Sequence, residues 1–321
     1  MSEKQELKDI SGVGSAIAEK LINAGFTSAE ALAVAPIKEL MDKAGLPFGT
    51  SSKISDAARQ MMRPDFMTAK ELWELRSKMQ RLTTGCRALD ELLGGGVETQ
   101  AITEFWGEYA SGKSQLCMRL STIVQQPEDS GGLSGKALFI DTEGTFSPQR
   151  IYQISESNGY DPEETLDNII YARCYNSDHQ QLIVDHAFKL CQEEKIKLVV
   201  VDSLTSHWRA DYVGRENLSE RQQKLNAHLH KLLRLSEALN LAVVVTNQVQ
   251  ANPSAFFGNP NRPAGGHVVA HACTHRIELR KSKGNLRIAR ITDSPYLPNN
   301  EAQFLITEKG VEDVKVHGRG E

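Results

Sequence analysis

Gly107-Glu108-Tyr109-Ala110-Ser111-Gly112-Lys113-Ser114 fits the pattern G-x-x-x-x-G-K-[ST]. A strand-like apolar run at 101–106 leads into it, and a helical segment at 115–124, beginning with Gln115, leads out. A phosphate-binding loop needs that order. Glycines let backbone N–H groups close around phosphate oxygens, and the helix N-terminus adds partial positive charge. In such a loop Lys113 reaches the β- and γ-phosphates and Ser114 ligates Mg²⁺. Stripped of its flanks, the octet would be only a Gly-rich turn before a helix.

Outward from the loop, apolar runs alternate with helical segments. Candidate strands are 101–106, 137–141, 169–172, 198–202, 242–247, 275–279, 286–292 and 302–306. Crossover-length helices between them predict an α/β domain with a largely parallel sheet, and the close spacing of the last three predicts an antiparallel edge. Four of these strands carry polar residues at their C-terminal ends, where open α/β sheets bind ligands. Leu198-Val199-Val200-Val201-Asp202 ends in a carboxylate placed to hold Mg²⁺ through its water shell. Asp202 alone could equally be a helix cap. The strand 137–141 opens into Thr142-Glu143-Gly144, where Glu143 can orient an attacking water, and 242–246 ends in Asn247-Gln248, whose amides can sense a γ-phosphate.

Before the phosphate loop the texture is helical. Gly12-Val13-Gly14 reads as a tight turn, followed by a helix with Ile17, Leu21 and Ile22 on one face and a stop at Gly25. Segments 27–35 and 37–44 read as two further short helices, broken at Pro36 and Pro47. Arg63-Pro64-Asp65 reads as a linker, and an amphipathic helix from Lys70 to about Met79 builds its face from Leu72, Leu75 and Met79. The expected organisation is a helical domain at 1–62, a linker at 63–80 and a nucleotide-binding core at 81–321.

Composition narrows the class. The chain has 321 residues, of which 40% are apolar and 24% charged, with a formal charge of −4. These are ordinary globular proportions, excluding a disordered or disulfide-scaffold chain, and the mild acidity argues against a bulk polycation. The five cysteines include no C-x-x-C pair, so reduced, buried thiols are expected. Residues 1–9 are charged without an apolar centre, and no run approaches the ~18–20 apolar residues of a membrane span. The expectation is a soluble, cytoplasmic protein with no membrane partner.

Together these segments resemble the RecA/RadA recombinases, most closely the archaeal RadA branch. The resemblance runs from Lys8 to about Asp313. It is carried by Ser11-Gly12-Val13-Gly14, Phe66-Met67-Thr68-Ala69, residues 89–96, Glu98-Thr99-Gln100-Ala101-Ile102-Thr103-Glu104, residues 107–115 and residues 141–146. Later blocks are 211–215, Arg221-Gln222-Gln223-Lys224-Leu225, 246–249, Phe256-Phe257-Gly258, Gly265-Gly266-His267 and Asp293-Ser294-Pro295.

The resemblance implies a RecA-type P-loop ATPase core, a largely parallel sheet flanked by helices, behind a small all-α helix-hairpin-helix domain. It implies an ATP-dependent strand-exchange protein that self-associates into helical filaments or rings on single-stranded DNA and pairs it with duplex DNA, assisted by recombination mediators. A recombinase-like paralogue that only assists a true recombinase is the alternative. By the same resemblance Lys113, Glu143 and Gln248 are the catalytic groups, and Ser114 and Asp202 the Mg²⁺ groups. Arg150 lies against adenine, and 293–298, from Asp293 to Pro298, caps ATP on a neighbouring subunit. Whether K⁺ joins Mg²⁺ near Asp293 stays open.

The family's first DNA loop maps to 209–215, with Arg209, Tyr212 and Arg215 as contacts, and its second to 249–266, with Phe257, Gly265 and Gly266. Nine of the fifteen residues 252–266 are Pro, Gly or Asn, the texture of a functional or disordered loop. Phe256 and Phe257 there can stack on bases or anchor the loop. Phe66 and Ala69 match the F-x-x-A polymerisation motif.

The chain also departs from the family pattern. Ala110 stands where Gly or a basic residue is frequent, and fits unless its φ is positive. Ser147 and Gln149 replace a common Arg and Glu, and Glu216 follows Arg215 in place of Gly. His267, His271 and His275 recur every four residues, but a continuous helix through them is doubtful and a metal site needs a closed ligand set. His271 is expected near the nucleotide, His228-Leu229-His230 as a solvated pair, and Trp106 and Trp208 in the core. Finally, 253–292 holds seven basic residues against Glu278, a net +6, leaving −10 for the other 281 residues. That predicts an acidic body with one basic DNA-facing stretch.

Overall fold

The computed structural model describes residues 7–61, 67–77, 79–214, 216–251 and 261–314. The chain divides into two units, Met1–Arg76 and Ser77–Glu321.

In the first unit the helices Ser15–Asn23, Ala29–Val34, Ile37–Ala44 and Phe48–Met61 enclose Leu7, Leu21, Leu32, Leu40 and Ile54. Gly14 opens the first helix, Leu21 is fully buried, and Ile17 and Ile22 pack partly buried beside it, as the periodicity predicts. The helix Phe48–Met61 escapes sequence reading because its buried stripe is Ser51, Ile54, Ser55 and Ala58, three small residues and a single large one. The helix Ala69–Arg76 is started by a capping box. Thr68 donates to the Glu71 carboxylate from its backbone N–H (2.6 Å) and its Oγ1 (2.9 Å), and Glu71 N–H returns to Thr68 Oγ1. This helix ends at Arg76, short of Met79, and Leu72 and Leu75 of its expected apolar face are exposed, as is Trp73.

The second unit is built on a sheet of strands β3 (Ile102–Gly107), β4 (Lys136–Asp141), β5 (Ile169–Arg173), β6 (Ile196–Asp202), β7 (Ala242–Ala251), β8 (Asn261–Pro263), β9 (His275–Lys281), β10 (Leu286–Asp293), β11 (Glu301–Thr307) and β12 (Gly310–Asp313). A small pair, β1 (Arg81–Leu82) with β2 (Val97–Glu98), stands apart from it. The order is β12-β11-β10-β9-β3-β7-β6-β4-β5, with β8 added to β7. From β9 to β5 every pairing is parallel, and β9 to β12 form the expected antiparallel edge.

Layering explains why the central strands are continuously apolar. In β6, Leu198 and Val200 face one core while Val199 and Val201 face the other. Each fully buried side chain contributes roughly 1.5–3 kcal/mol relative to exposure. A strand covered by helices on both faces therefore has no reason to alternate with polar residues. Trp106, Trp208 and all five cysteines are buried, and the cysteines are free. Among the described residues no helix is long and apolar enough to cross a membrane.

Candidate nucleotide and DNA site

Strand β3, buried throughout, delivers Gly107 to the edge where all the parallel strands end. The backbone of β9 passes so close that a Cβ on Gly107 would lie 2.1 Å from Leu279 O, so only glycine fits. Gly112, with φ +105°, turns the chain into the helix Lys113–Ile123. Lys113 is buried, and its Nζ donates to Gly107 O (2.9 Å), Glu108 O (2.9 Å) and Ser111 Oγ (3.4 Å). Burial pulls its pKa down, opposed by the charges of Asp202 and Glu143. Tyr109 is exposed.

Ala110 has φ +60°, in the left-handed region. The condition set in the sequence reading, a positive φ, is met, and the Cβ costs about 1–2 kcal/mol in that region. Glycine avoids this but gives back roughly 0.5–1 kcal/mol in chain entropy. Ala110→Gly is expected to raise the melting temperature by ~1–3 °C in a thermal scan, and a fall would contradict the strain.

Asp202, at the end of β6, is 3% exposed. It accepts hydrogen bonds from Thr246 Oγ1 and, at 3.5 Å, from Thr145 Oγ1. Burial raises its pKa, against hydrogen bonds from Ser114 and Thr246. Ser114 hydroxyl and Asp202 carboxylate form a hard-oxygen pair of the kind Mg²⁺ takes.

Glu143 is set by a feature the sequence reading missed. Buried Asp141, the last residue of β4, gathers the following turn. Its Oδ1 accepts from the N–H groups of Glu143 (3.0 Å), Gly144 (2.6 Å) and Thr145 (3.3 Å), and its Oδ2 from Phe146 N–H (3.2 Å). Arg173 and the Tyr171 hydroxyl hold the same carboxylate. The turn aims Glu143 at Ser203, whose Oγ donates to Glu143 Oε1 at 2.7 Å. Gln248 Nε2 lies 3.4 Å from the same oxygen. Lys113, Ser114, Asp202, Glu143 and Gln248 thus meet at one sheet edge.

Asn247 does not join them. It is fully buried and bonded into the interior, which corrects the expectation of two sensing amides at this strand end. Arg150 does reach the loop's helix: its Nε donates to Gln115 Oε1 at 2.8 Å, and its Nη1 and Nη2 to the carbonyls of Glu308 and Thr307.

Asp293 and Pro298 stand elsewhere. Strand β10 runs antiparallel to β9, and Asp293 pairs with Arg276, near the start of β9. That is the edge opposite the phosphate loop, so these residues and Lys113 do not face one nucleotide within a single chain. The segment is anchored by buried Glu98. Its Oε2 contacts His275 Nε2 at 3.1 Å, and its Oε1 accepts from Arg81 and from the Tyr296 hydroxyl. Burial alone would raise the Glu98 pKa, but His275, Tyr296 and Arg81 outweigh it and hold it at about 2.

The first expected DNA segment follows the end of β6, but the second, expected as a loop from 249, starts inside β7, which runs on to Ala251 and pairs with β8 from Val249 to Ala251. Arg209 lies exposed on a helix, Ser206–Asp211, where a loop from 209 was expected. Asp211 accepts from Ser177 N–H at 2.7 Å, which ties that helix end down. Tyr212 stacks on Trp208 with ring centroids 6.2 Å apart, and its hydroxyl accepts from Lys224. Gly265 and Gly266 open the helix Gly266–Ala272. Arg215, Phe256, Phe257 and Phe66 lie outside the described residues, while Ala69 is described and exposed.

Two other expectations are corrected. His228 is 1% exposed, and burial takes its pKa down to about 3, so it is a neutral core residue instead of a solvated one. The basic stretch is free only in part: Arg262, Lys281 and Lys283 are exposed, while its four other basic residues are paired or buried. Arg276 pairs with Glu104, Arg280 with Glu278 and Glu301, Arg290 with Glu301, and Arg287 is buried. His267 and His271 stack on one helix face while His275 belongs to β9, so no continuous helix runs through the three, as the sequence reading held.

Sheet order and loop define a RecA-type P-loop protein. A family model described as Rad51 matches residues 75–314, and one described as a SAM-like helix-hairpin-helix tandem matches residues 4–60. The chain is 52% identical over 314 residues to a DNA repair and recombination protein RadA from Aeropyrum pernix, covering 97% of this chain and 98% of that one. It is also 52% identical over 310 residues to the RadA of Ignicoccus hospitalis, covering 95% and 94%. The chain belongs to the Rad51 family.

Proposed function

We propose that the chain is an ATP-dependent DNA recombinase that forms filaments on single-stranded DNA and catalyses homologous pairing and strand exchange in recombinational repair. The observation that carries this reading is the Glu143–Gln248 contact, 3.4 Å between Nε2 and Oε1. It joins the group that orients the attacking water to a strand that continues into the second DNA segment.

The roles follow from position. The N–H groups of 107–114 cradle phosphates, Lys113 holds the β- and γ-oxygens, and Ser114 and Asp202 hold Mg²⁺. Bound MgATP supplies the transferable γ-phosphoryl group. Glu143 orients the water, Gln248 registers the γ-phosphate, and Arg150 borders the adenine. Asp293 to Pro298 cap the nucleotide of the next protomer, which agrees with their place on the opposite edge. Phe66 and Ala69 insert into that protomer. Arg209, Tyr212, Arg215, Phe257, Gly265 and Gly266 face DNA, and mediators load the filament.

Electron microscopy of the purified chain with ATP, Mg²⁺ and single-stranded DNA is expected to show helical filaments. Phe66→Ala should leave only short oligomers. Failure of the wild-type chain to assemble on DNA would contradict the reading.

A further inference from the structure

Asn247 makes three side-chain hydrogen bonds, all buried. Its Oδ1 accepts from Thr205 Oγ1 at 2.7 Å. Its Nδ2 donates to Glu104 Oε1 and to Ala264 O, each at 2.7 Å. Glu104 is in turn fixed by Arg276. Both N–H donors are used and the oxygen accepts one bond, so neither polar atom of the buried amide lacks a partner.

Its partners are unusual in where they lie. Thr205 is the residue before the helix Ser206–Asp211, which carries Arg209. A threonine at that position commonly caps its helix, but this one makes no side-chain cap bond and points its hydroxyl at Asn247. Ala264 immediately precedes Gly265 and Gly266, and its N–H bonds back to Gln248 O at 2.9 Å. One amide thus grips the roots of both DNA segments. Its chain neighbour Gln248 touches Glu143.

Resting on the function proposed above, we infer that Asn247 is a positioning residue that couples nucleotide state to both DNA segments through Thr205 and Ala264. A displacement of Gln248 by a γ-phosphate moves the same strand residue pair, and the Thr205 and Ala264 bonds pass it to each segment. By linkage, DNA bound at those segments alters nucleotide affinity by the same factor.

Thr205→Val removes the hydroxyl at nearly constant volume and touches no nucleotide-facing group. ATP hydrolysis without DNA is expected to stay within twofold of wild type. Stimulation by single-stranded DNA is expected to fall at least fivefold, and the ATP-dependent gain in DNA affinity by the same factor. Thr205→Ser, which keeps the hydroxyl, should restore both. A merely structural role would lower basal and stimulated rates together and would overturn the inference, as would full stimulation in the valine variant. If thermal unfolding shows that the valine variant does not fold, Thr205→Ala carries the same expectation. A wild-type ATPase indifferent to DNA would contradict the recombinase reading itself, and the coupling would fall with it.

Discussion

Lys113→Ala is expected to reduce ATP hydrolysis by about 10²–10³-fold and to abolish strand exchange, which depends on ATP. The ammonium is held in place by loop carbonyls, Gly107 O and Glu108 O, each at 2.9 Å. It is therefore already positioned at low dielectric, where it can exchange those carbonyls for phosphate oxygens. Removing one such preorganised charge typically costs ~3–4 kcal/mol of transition-state stabilisation, and 1.4 kcal/mol is a tenfold change in rate. Alanine also leaves the two loop carbonyls without their donor, so nucleotide affinity should fall as well. Phosphate release together with equilibrium nucleotide binding measures both effects. A variant retaining a tenth or more of the wild-type rate would remove Lys113 from the proposed site.

Glu143→Gln is expected to separate binding from hydrolysis. The substitution keeps the shape of the side chain and an oxygen that accepts from Ser203 Oγ, a bond of 2.7 Å in the native chain. The turn that presents it is unaffected, because Asp141 holds that turn through backbone N–H groups. Only the base is lost, and general-base catalysis is worth 10²–10⁴-fold. Hydrolysis should fall by that amount while ATP affinity changes by no more than a few-fold. DNA complexes formed with ATP should then persist instead of turning over. Native hydrolysis in this variant would transfer the water-orienting role elsewhere.

Much of the frame is legible in the sequence because its signals are local. A phosphate loop announces itself by glycines whose necessity is steric, as at Gly107, and a doubly covered strand such as β6 by an unbroken apolar run. What stays hidden depends on partners distant in the chain. Asp141 reads as a strand-end acid until the turn it gathers is seen. Asn247 reads as one of a pair of sensors, yet β7 turns Gln248 outward and Asn247 inward, as alternate residues of any strand must point. His228 sits in a polar helical stretch and looks solvated, but a helix of 22 residues has a buried face and His228 lies on it.

The basic stretch holds only in part: Arg262, Lys281 and Lys283 are exposed, and the other four are not free. Counting charge along 253–292 ignores acids from elsewhere, and Glu104 and Glu301 arrive beside those arginines only when the sheet forms. The φ of Ala110 is another property of the folded loop that no residue pattern carries.

Strand exchange by the purified chain, with no other protein present, tests the central claim most directly. Circular single-stranded DNA and a homologous linear duplex are incubated with ATP and Mg²⁺, and joint molecules are followed over time. Joint molecules are predicted with the wild-type chain and none with Lys113→Ala. A wild-type chain that binds DNA and hydrolyses ATP yet forms no joint molecules would contradict the account.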